Sequence, residues 1–138
     1  MEHIQVIFAR NWLPLSLAIQ IRTLSKWSHV GVVIGDNVIE SRGGVGVVIT
    51  SLNEFKDRYT STDMGMLSCV SKQAAEDFLY AQVGKKYDIR AIIGAAFNLK
   101  IDSSVAYHCS ELIAEATGLF NPNYLATISP AILRKMTV

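Results

Sequence analysis

The sequence contains few cysteines, and its positive and negative charges nearly balance. Its 138 residues contain two cysteines, Cys69 and Cys109, which are too few for a disulfide framework, and no CxxC pair indicates a zinc site. The sequence alone does not exclude one disulfide bond between them, although Cys69 falls in an apolar strand-like run. Thirteen Lys and Arg oppose twelve Asp and Glu, for a formal net charge of +1. A nucleic-acid partner therefore has no electrostatic support.

Long apolar runs are also missing. The longest late one, residues 89–99, contains Arg90 and Asn98 and falls short of the roughly 20 residues that a membrane-spanning helix needs. The N-terminal residues MEHIQVIFARNW carry an early glutamate and lack the apolar region and cleavage site of a signal peptide. We therefore expect a cytoplasmic protein with no integral membrane segment.

What the chain does have is the composition and patterning of one globular α+β domain over residues 1–138. Half of the residues are hydrophobic and 18% are charged, which is typical of a chain with one core. Alternating and β-branched runs predict strands over residues 4–8, 29–34, 38–41, 45–50 and 64–70. Helical spacing predicts helices over residues 14–26, 52–59, 71–83, 88–97 and 107–117, and a short last helix from Pro130, with Ser51, Ser71 and Ser129 as N-caps. A run of antiparallel strands flanked by helices is the expected architecture.

Cys109 is the candidate nucleophile. It stands in the sequence YHCSELIA, which reads as a loop followed by a helix, so we expect it in the first helical turn. The positive end of a helix favours a thiolate there, and the unpaired N–H groups can hold an oxyanion. The alternative is a small buried apolar residue, which is what most free cysteines are.

His29 and Glu40 are the candidate base and the group that orients it. His29 opens an apolar strand, and Gly31, two residues on, leaves room beside it for another chain or a substrate. A hairpin turning at residues 36–37 brings Glu40 to the same end of the two strands, where its carboxylate can accept the imidazole N–H. The alternatives are an ordinary hydrogen-bonded histidine and a solvent-facing carboxylate at a strand end.

Other residue types add less. His108 adjoins Cys109 and is a candidate pocket residue, and Tyr87 and Tyr107 are two further candidates for the pocket. The glycine-rich residues 42–46 are not a phosphate loop, because no Lys-Ser/Thr pair follows them. No motif implies a metal or a cofactor.

Together these motifs resemble a known family. SHVGVVIG followed by VIES, residues 28–35 and 38–41, resembles the histidine hairpin of the NlpC-type papain-like hydrolases, and YHCSELI, residues 107–113, resembles their cysteine helix. The order, histidine first, is similar to the circularly permuted YaeF/YiiX-like branch, with the lecithin retinol acyltransferases as more distant relatives. Residues 84–88 (GKKYD) and 129–133 (SPAIL) resemble two further segments of that branch.

The resemblance implies a fold and an activity. The implied fold is the permuted papain-like one, and the implied activity is hydrolysis of a small peptide, amide or acyl substrate through an acyl-cysteine, with Cys109, His29 and Glu40 as the triad. Two alternatives stay open: acyl transfer or lipid (thio)ester cleavage by the same triad, and a non-catalytic binding or assembly module. Many relatives carry a signal peptide or lipid anchor and this chain shows neither, so a phage-encoded origin is also compatible, and the oligomeric state stays open.

Overall fold

The computed structural model describes residues 1–11, 27–42, 45–85 and 104–138, with the side chains of residues 104–108 and 126–127 left out. The expected helices over residues 14–26 and 88–97 and the candidate Tyr87 lie outside the described residues. Among the described residues, no helix is both long enough and apolar enough to span a bilayer.

One antiparallel sheet of five strands organises the chain, in the order β4-β3-β2-β1-β5. The strands are β1 Glu2–Arg10, β2 His29–Ile34, β3 Asn37–Arg42, β4 Gly46–Ser51 and β5 Ser61–Cys69. The five predicted strands are therefore confirmed, most of them longer than their patterns indicate. The interior strand β1 is buried without interruption from Val6 to Ala9, as expected of a strand that is covered on both faces.

Helices cover both faces of this sheet. They are α1 Leu52–Asp57, α2 Lys72–Gln82, α3 Ser104–Thr117, a 3-10 helix Pro122–Thr127 and α4 Pro130–Met136. The three predicted serine N-caps are confirmed. Ser51 Oγ accepts from the N–H of Glu54, Ser71 Oγ from that of Ala74, and Ser129 Oγ from that of Ile132, at 3.2 to 3.3 Å.

The core is divided by the sheet into a large and a small cluster. The large one packs α2 and α3 against one face and contains Phe8, Val30 and Ile113 among others. The small one packs α1 against the other face, with Phe55 of α1 on Ile7, Ala9, Val33 and Val38. The first N–H of α1 also donates to the carbonyl oxygen of Asp36 at 2.8 Å, so α1 is tied to the β2–β3 turn.

The start of the cysteine helix differs from the prediction. Because α3 begins at Ser104, Cys109 is its sixth residue, and the expectation that Cys109 lies in the first turn is wrong. An apolar stripe at helical spacing, Val105, Cys109, Leu112 and Ala116, extends the helix upstream. The effect of the helix dipole fades within the first turn, and only the first four N–H groups lack helical partners. Neither feature therefore applies to Cys109.

The β2–β3 hairpin is tight, and it fills the space beside Gly31. Its turn is Gly35–Asp36, with Gly35 at φ +61°, and the paired residues run from Ile34–Asn37 to Val32–Ile39. A Cβ on Gly31 would lie 2.5 Å from Cγ1 of Val38 and 3.3 Å from the carbonyl oxygen of Ile39. The room that Gly31 leaves is thus taken by β3 and not by a substrate.

Gly31→Ala is expected to destabilise the protein by about 1–3 kcal/mol, since the added methyl overlaps a stiff β-branched neighbour. Urea unfolding followed by circular dichroism measures the loss. The double variant Gly31→Ala/Val38→Ala removes the overlapping Cγ1, so its loss should be smaller than the sum of the two single losses. Additive losses would contradict this account of the contact.

Candidate active site

His29 and Glu40 form the centre of a polar cluster at the open end of the β2–β3 hairpin. The hairpin register places Glu40 across from Gly31, so Glu40 lies diagonal to His29 on the same face of the sheet. His29 Nε2 and Glu40 Oε1 are 2.9 Å apart. Glu40 is fully buried, and 13% of the His29 side chain is exposed. Glu40 is therefore not a solvent-facing charge.

Cys109, which lies on α3, contacts the same histidine. The helix α3 packs against β2 and β3, and the Cys109 side chain hydrogen-bonds to His29. With Nε2 engaged by Glu40, the ring presents Nδ1 to the sulfur. The structure thus brings together the three residues chosen from the sequence as nucleophile, base and orienting group.

Electrostatics in this cluster favour a charged imidazole. Burial alone lowers the pKa of His29, but the hydrogen bonds to Cys109 and Glu40, together with their negative charges, raise it to about 9. Burial likewise opposes the ionisation of Glu40, yet the contacts with His29 and Thr50 and the charge of Arg58 hold the pKa of Glu40 below its usual value. At neutral pH the cluster therefore holds an imidazolium and a carboxylate.

Two partners of Glu40 were missed by the sequence reasoning. Arg58, which follows α1, donates from Nη2 to Glu40 Oε2, and the hydroxyl of Thr50 on β4 donates to the same carboxylate. The carboxylate is therefore bonded from β2, β4 and the end of α1. A buried carboxylate needs this number of partners to stay ionised.

Two aromatic rings from α1 and its end cover the histidine. The Phe55 ring stacks on the His29 ring at 5.8 Å between centroids, and the Tyr59 ring does so at 5.6 Å. Burial and the charge of Glu40 raise the pKa of Tyr59, so its hydroxyl stays protonated. A sequence signal for these residues did exist: Phe55, Arg58 and Tyr59 stand at positions i, i+3 and i+4, which is one side of a helix.

The remaining candidates do not enter the described site. Tyr107 and His108 belong to α3, but their side chains lie outside the description, so their assignment to a pocket stays a prediction. Cys69 is fully buried in the large core cluster. Neither cysteine is in a disulfide, and burial, assisted by the charge of Glu2, raises the pKa of Cys69.

The order of these residues along the chain defines the class of protein. In papain the cysteine precedes the histidine, whereas here His29 comes long before Cys109 on an α+β fold, which is the arrangement of a circularly permuted papain-like protein. The family model described as "Permuted papain-like amidase enzyme, YaeF/YiiX, C92 family" matches residues 5–138, and the chain belongs to this family. No curated protein matches the sequence.

A solved structure supports the same fold. The chain is similar to the crystal structure of metalloprotein yiiX from Escherichia coli O157:H7, with a TM-score of 0.58 and 22% identity. The match covers 83% of this chain and 63% of that chain, so this chain spans less than two thirds of the length of its structural relative. At this identity the likeness shows the fold alone.

The word metalloprotein belongs to that relative. Over residues 1–11, 27–42, 45–85 and 104–138 of this chain, no group of three or more His, Cys, Asp or Glu side chains is arranged to hold a metal ion. His29 and Glu40 already bind each other. The described residues therefore do not fit a metal centre.

Glu40→Gln is expected to lower the pKa of His29 from about 9 towards the ordinary value near 6.5, because the variant keeps the shape of the side chain but removes its charge. NMR titration of the His29 ring protons measures the change. Asp63→Asn is the matched control, since Asp63 pairs with Arg134 and not with the site. An unchanged His29 pKa in Glu40→Gln would contradict the electrostatic account.

Proposed function

We propose that this protein is a cysteine amidase that cleaves a small peptide or amide substrate through an acyl-cysteine intermediate. The observation that carries the proposal is His29 held between Cys109 and a buried Glu40. The family's description as an amidase supports the reaction class. The single-domain organisation and cytoplasmic location expected from the sequence belong to the same proposal.

The first half of the reaction uses the sulfur and the imidazolium. The Cys109 thiolate attacks the carbonyl carbon of the substrate and forms a C–S bond, while the C=O electron pair moves onto oxygen. The tetrahedral intermediate then collapses, the C–N bond breaks, and His29 gives its proton to the departing amine. This leaves an acyl-cysteine and a neutral imidazole, which Glu40 keeps in position.

The second half of the reaction restores the enzyme. Water loses a proton to the neutral His29 and attacks the acyl carbon, and collapse of the second tetrahedral intermediate breaks the C–S bond. The products are the carboxylic acid and the original thiolate–imidazolium pair. An amine or lipid hydroxyl in place of water would give acyl transfer, which the same residues support.

The oxyanion needs donors other than the one expected from the sequence. The N–H of Cys109 lies beyond the first four residues of α3 and is engaged in the helix. The backbone N–H of Cys109 is therefore not one of the unpaired groups that could hold the oxyanion. This change leaves the roles of the three side chains as proposed.

Cys109 is expected to react with iodoacetamide at neutral pH at least tenfold faster than Cys69. The two residues are 1% and 0% exposed, so a difference in rate reports the effect of His29 on the sulfur and not the exposure of the thiol. Peptide mass spectrometry resolves the two sites. His29→Ala should remove the difference, whereas Cys69→Ser should leave the labelling of Cys109 unchanged.

The acyl group captured on Cys109 identifies the class of substrate. Incubation with peptide, murein-fragment and lipid acyl donors, followed by mass spectrometry of the intact protein, shows which acyl group Cys109 captures. If both cysteines are labelled equally fast and no donor transfers an acyl group to Cys109, the proposed catalytic function is wrong. A binding module would then be the remaining function.

The pH profile of kcat/KM is expected to fall above about pH 9, where His29 loses the proton that the leaving amine needs. Because the pKa of His29 is raised to about 9, the imidazolium persists through neutral pH and is lost only as the pH passes about 9. In Glu40→Gln the basic limb should move to lower pH. A basic limb that is the same in both proteins would contradict the assignment of His29 as the acid.

A further inference from the structure

The carboxylate of Glu40 has two oxygens, and each is bonded to a different cation. Oε1 faces His29 Nε2 at 2.9 Å, and Oε2 accepts from Nη2 of Arg58. Glu40 itself has no exposed side-chain surface. The position of the carboxylate that orients His29 is thus fixed from behind by Arg58.

Arg58 is itself held in place by the rings that contact the histidine. Its guanidinium carbon lies 5.5 Å from the centroid of the Phe55 ring and 5.3 Å from that of the Tyr59 ring. Both rings also stack on His29. A cation over an aromatic face is attracted to it, so Arg58 and His29 share the same aromatic support and the same carboxylate.

The charges around Glu40 explain why its contact with Arg58 affects the ionisation of the carboxylate. Among the described residues, His29 on β2 also acts on Glu40, Cys109 on α3 acts on His29, and Arg42 at the end of β3 acts on Tyr59 after α1. A buried carboxylate is costly unless it is paired. Without Arg58, the carboxylate would lose its cationic partner on Oε2, and Glu40 would take up a proton at higher pH.

We propose that Arg58 is a positioning residue of this site: by binding Oε2 of Glu40 it keeps that carboxylate ionised and aimed at His29. The inference deepens the proposed amidase function and rests on it for its kinetic test. The contacts of Arg58 described above are with Glu40 and with the rings of Phe55 and Tyr59. It acts through Glu40, and that route gives it measurable signatures.

Arg58→Ala is expected to lower kcat/KM about tenfold at pH 7, since a hydrogen bond to a buried charge is lost. The loss should grow as the pH falls, because Glu40 takes up a proton at higher pH in the variant than in the wild-type protein and then no longer orients His29. Arg58→Lys keeps the charge but not the planar fork. It should therefore lose rate while its acidic limb stays near that of the wild-type protein.

Two further measurements separate this role from general stability. Millimolar guanidinium should restore activity to Arg58→Ala, and it should not restore His29→Ala. In a Glu40→Gln background, adding Arg58→Ala should cause no further loss of kcat/KM, because the group through which Arg58 acts has lost its charge. An equal loss in both backgrounds would overturn the proposal.

Arg134→Ala is the matched control. Arg134 also pairs with a carboxylate, Asp63 at 2.7 Å, and also lies over an aromatic ring, that of Phe8 at 5.7 Å. Its loss removes the same kinds of contact on the opposite face of the sheet from His29. We expect this variant to be somewhat less stable, with an unchanged pH profile.

The tests distinguish failure of Arg58 from failure of the amidase function. Carbon-13 NMR titration of the Glu40 carboxyl needs no activity, and in Arg58→Ala its pKa should rise relative to the wild-type protein. If Arg58→Ala does not fold, the same titration in Arg58→Met replaces it, because methionine removes the charge and the hydrogen bond but keeps an apolar stem against the Phe55 and Tyr59 rings. An active protein whose Arg58 variants keep the wild-type profile and Glu40 titration would overturn the role of Arg58 alone.

Discussion

The structure depends on a buried carboxylate that must not lose its charge. Glu40 lies inside the protein without exposed surface, and ionisation there is tolerated only because His29, Arg58 and Thr50 all contact its two oxygens. These partners come from different elements of the fold. The carboxylate therefore ties the histidine hairpin, the neighbouring strand β4 and the end of α1 into one unit, and together with Cys109 it raises the pKa of the histidine.

Close packing of the hairpin makes this unit possible. Gly31 allows β3 to approach so closely that a Cβ would overlap Val38, and the Cβ of Glu40 lies 3.5 Å from the same point. The glycine thus serves the site indirectly, by letting the strand that carries Glu40 lie against the strand that carries His29. Behind them, α1 is tied to the hairpin turn at Asp36, which brings Phe55 and Tyr59 onto the imidazole ring.

Much of this was accessible from the sequence, because the signals are local. Alternation gave the five strands, and serine followed by a helical pattern gave three helix starts that the N-cap contacts of Ser51, Ser71 and Ser129 confirm. The start of α3 was predicted at Tyr107, three residues late, although the apolar stripe in the sequence continues back to Val105. Arg58 was missed because a charged residue at a helix end usually faces solvent.

The sequence by itself determined the class of fold, the order of histidine and cysteine, and the hairpin that pairs His29 with Glu40, since strand register follows from a period of two and a short turn. Only the tertiary structure decided the rest. It buried Glu40, placed Arg58 behind it, stacked two rings on His29 and moved Cys109 from the first helical turn to the second. The reason is physical: burial and charge pairing depend on which elements meet in space, and Arg58 and Glu40 meet only after α1 has packed on the sheet.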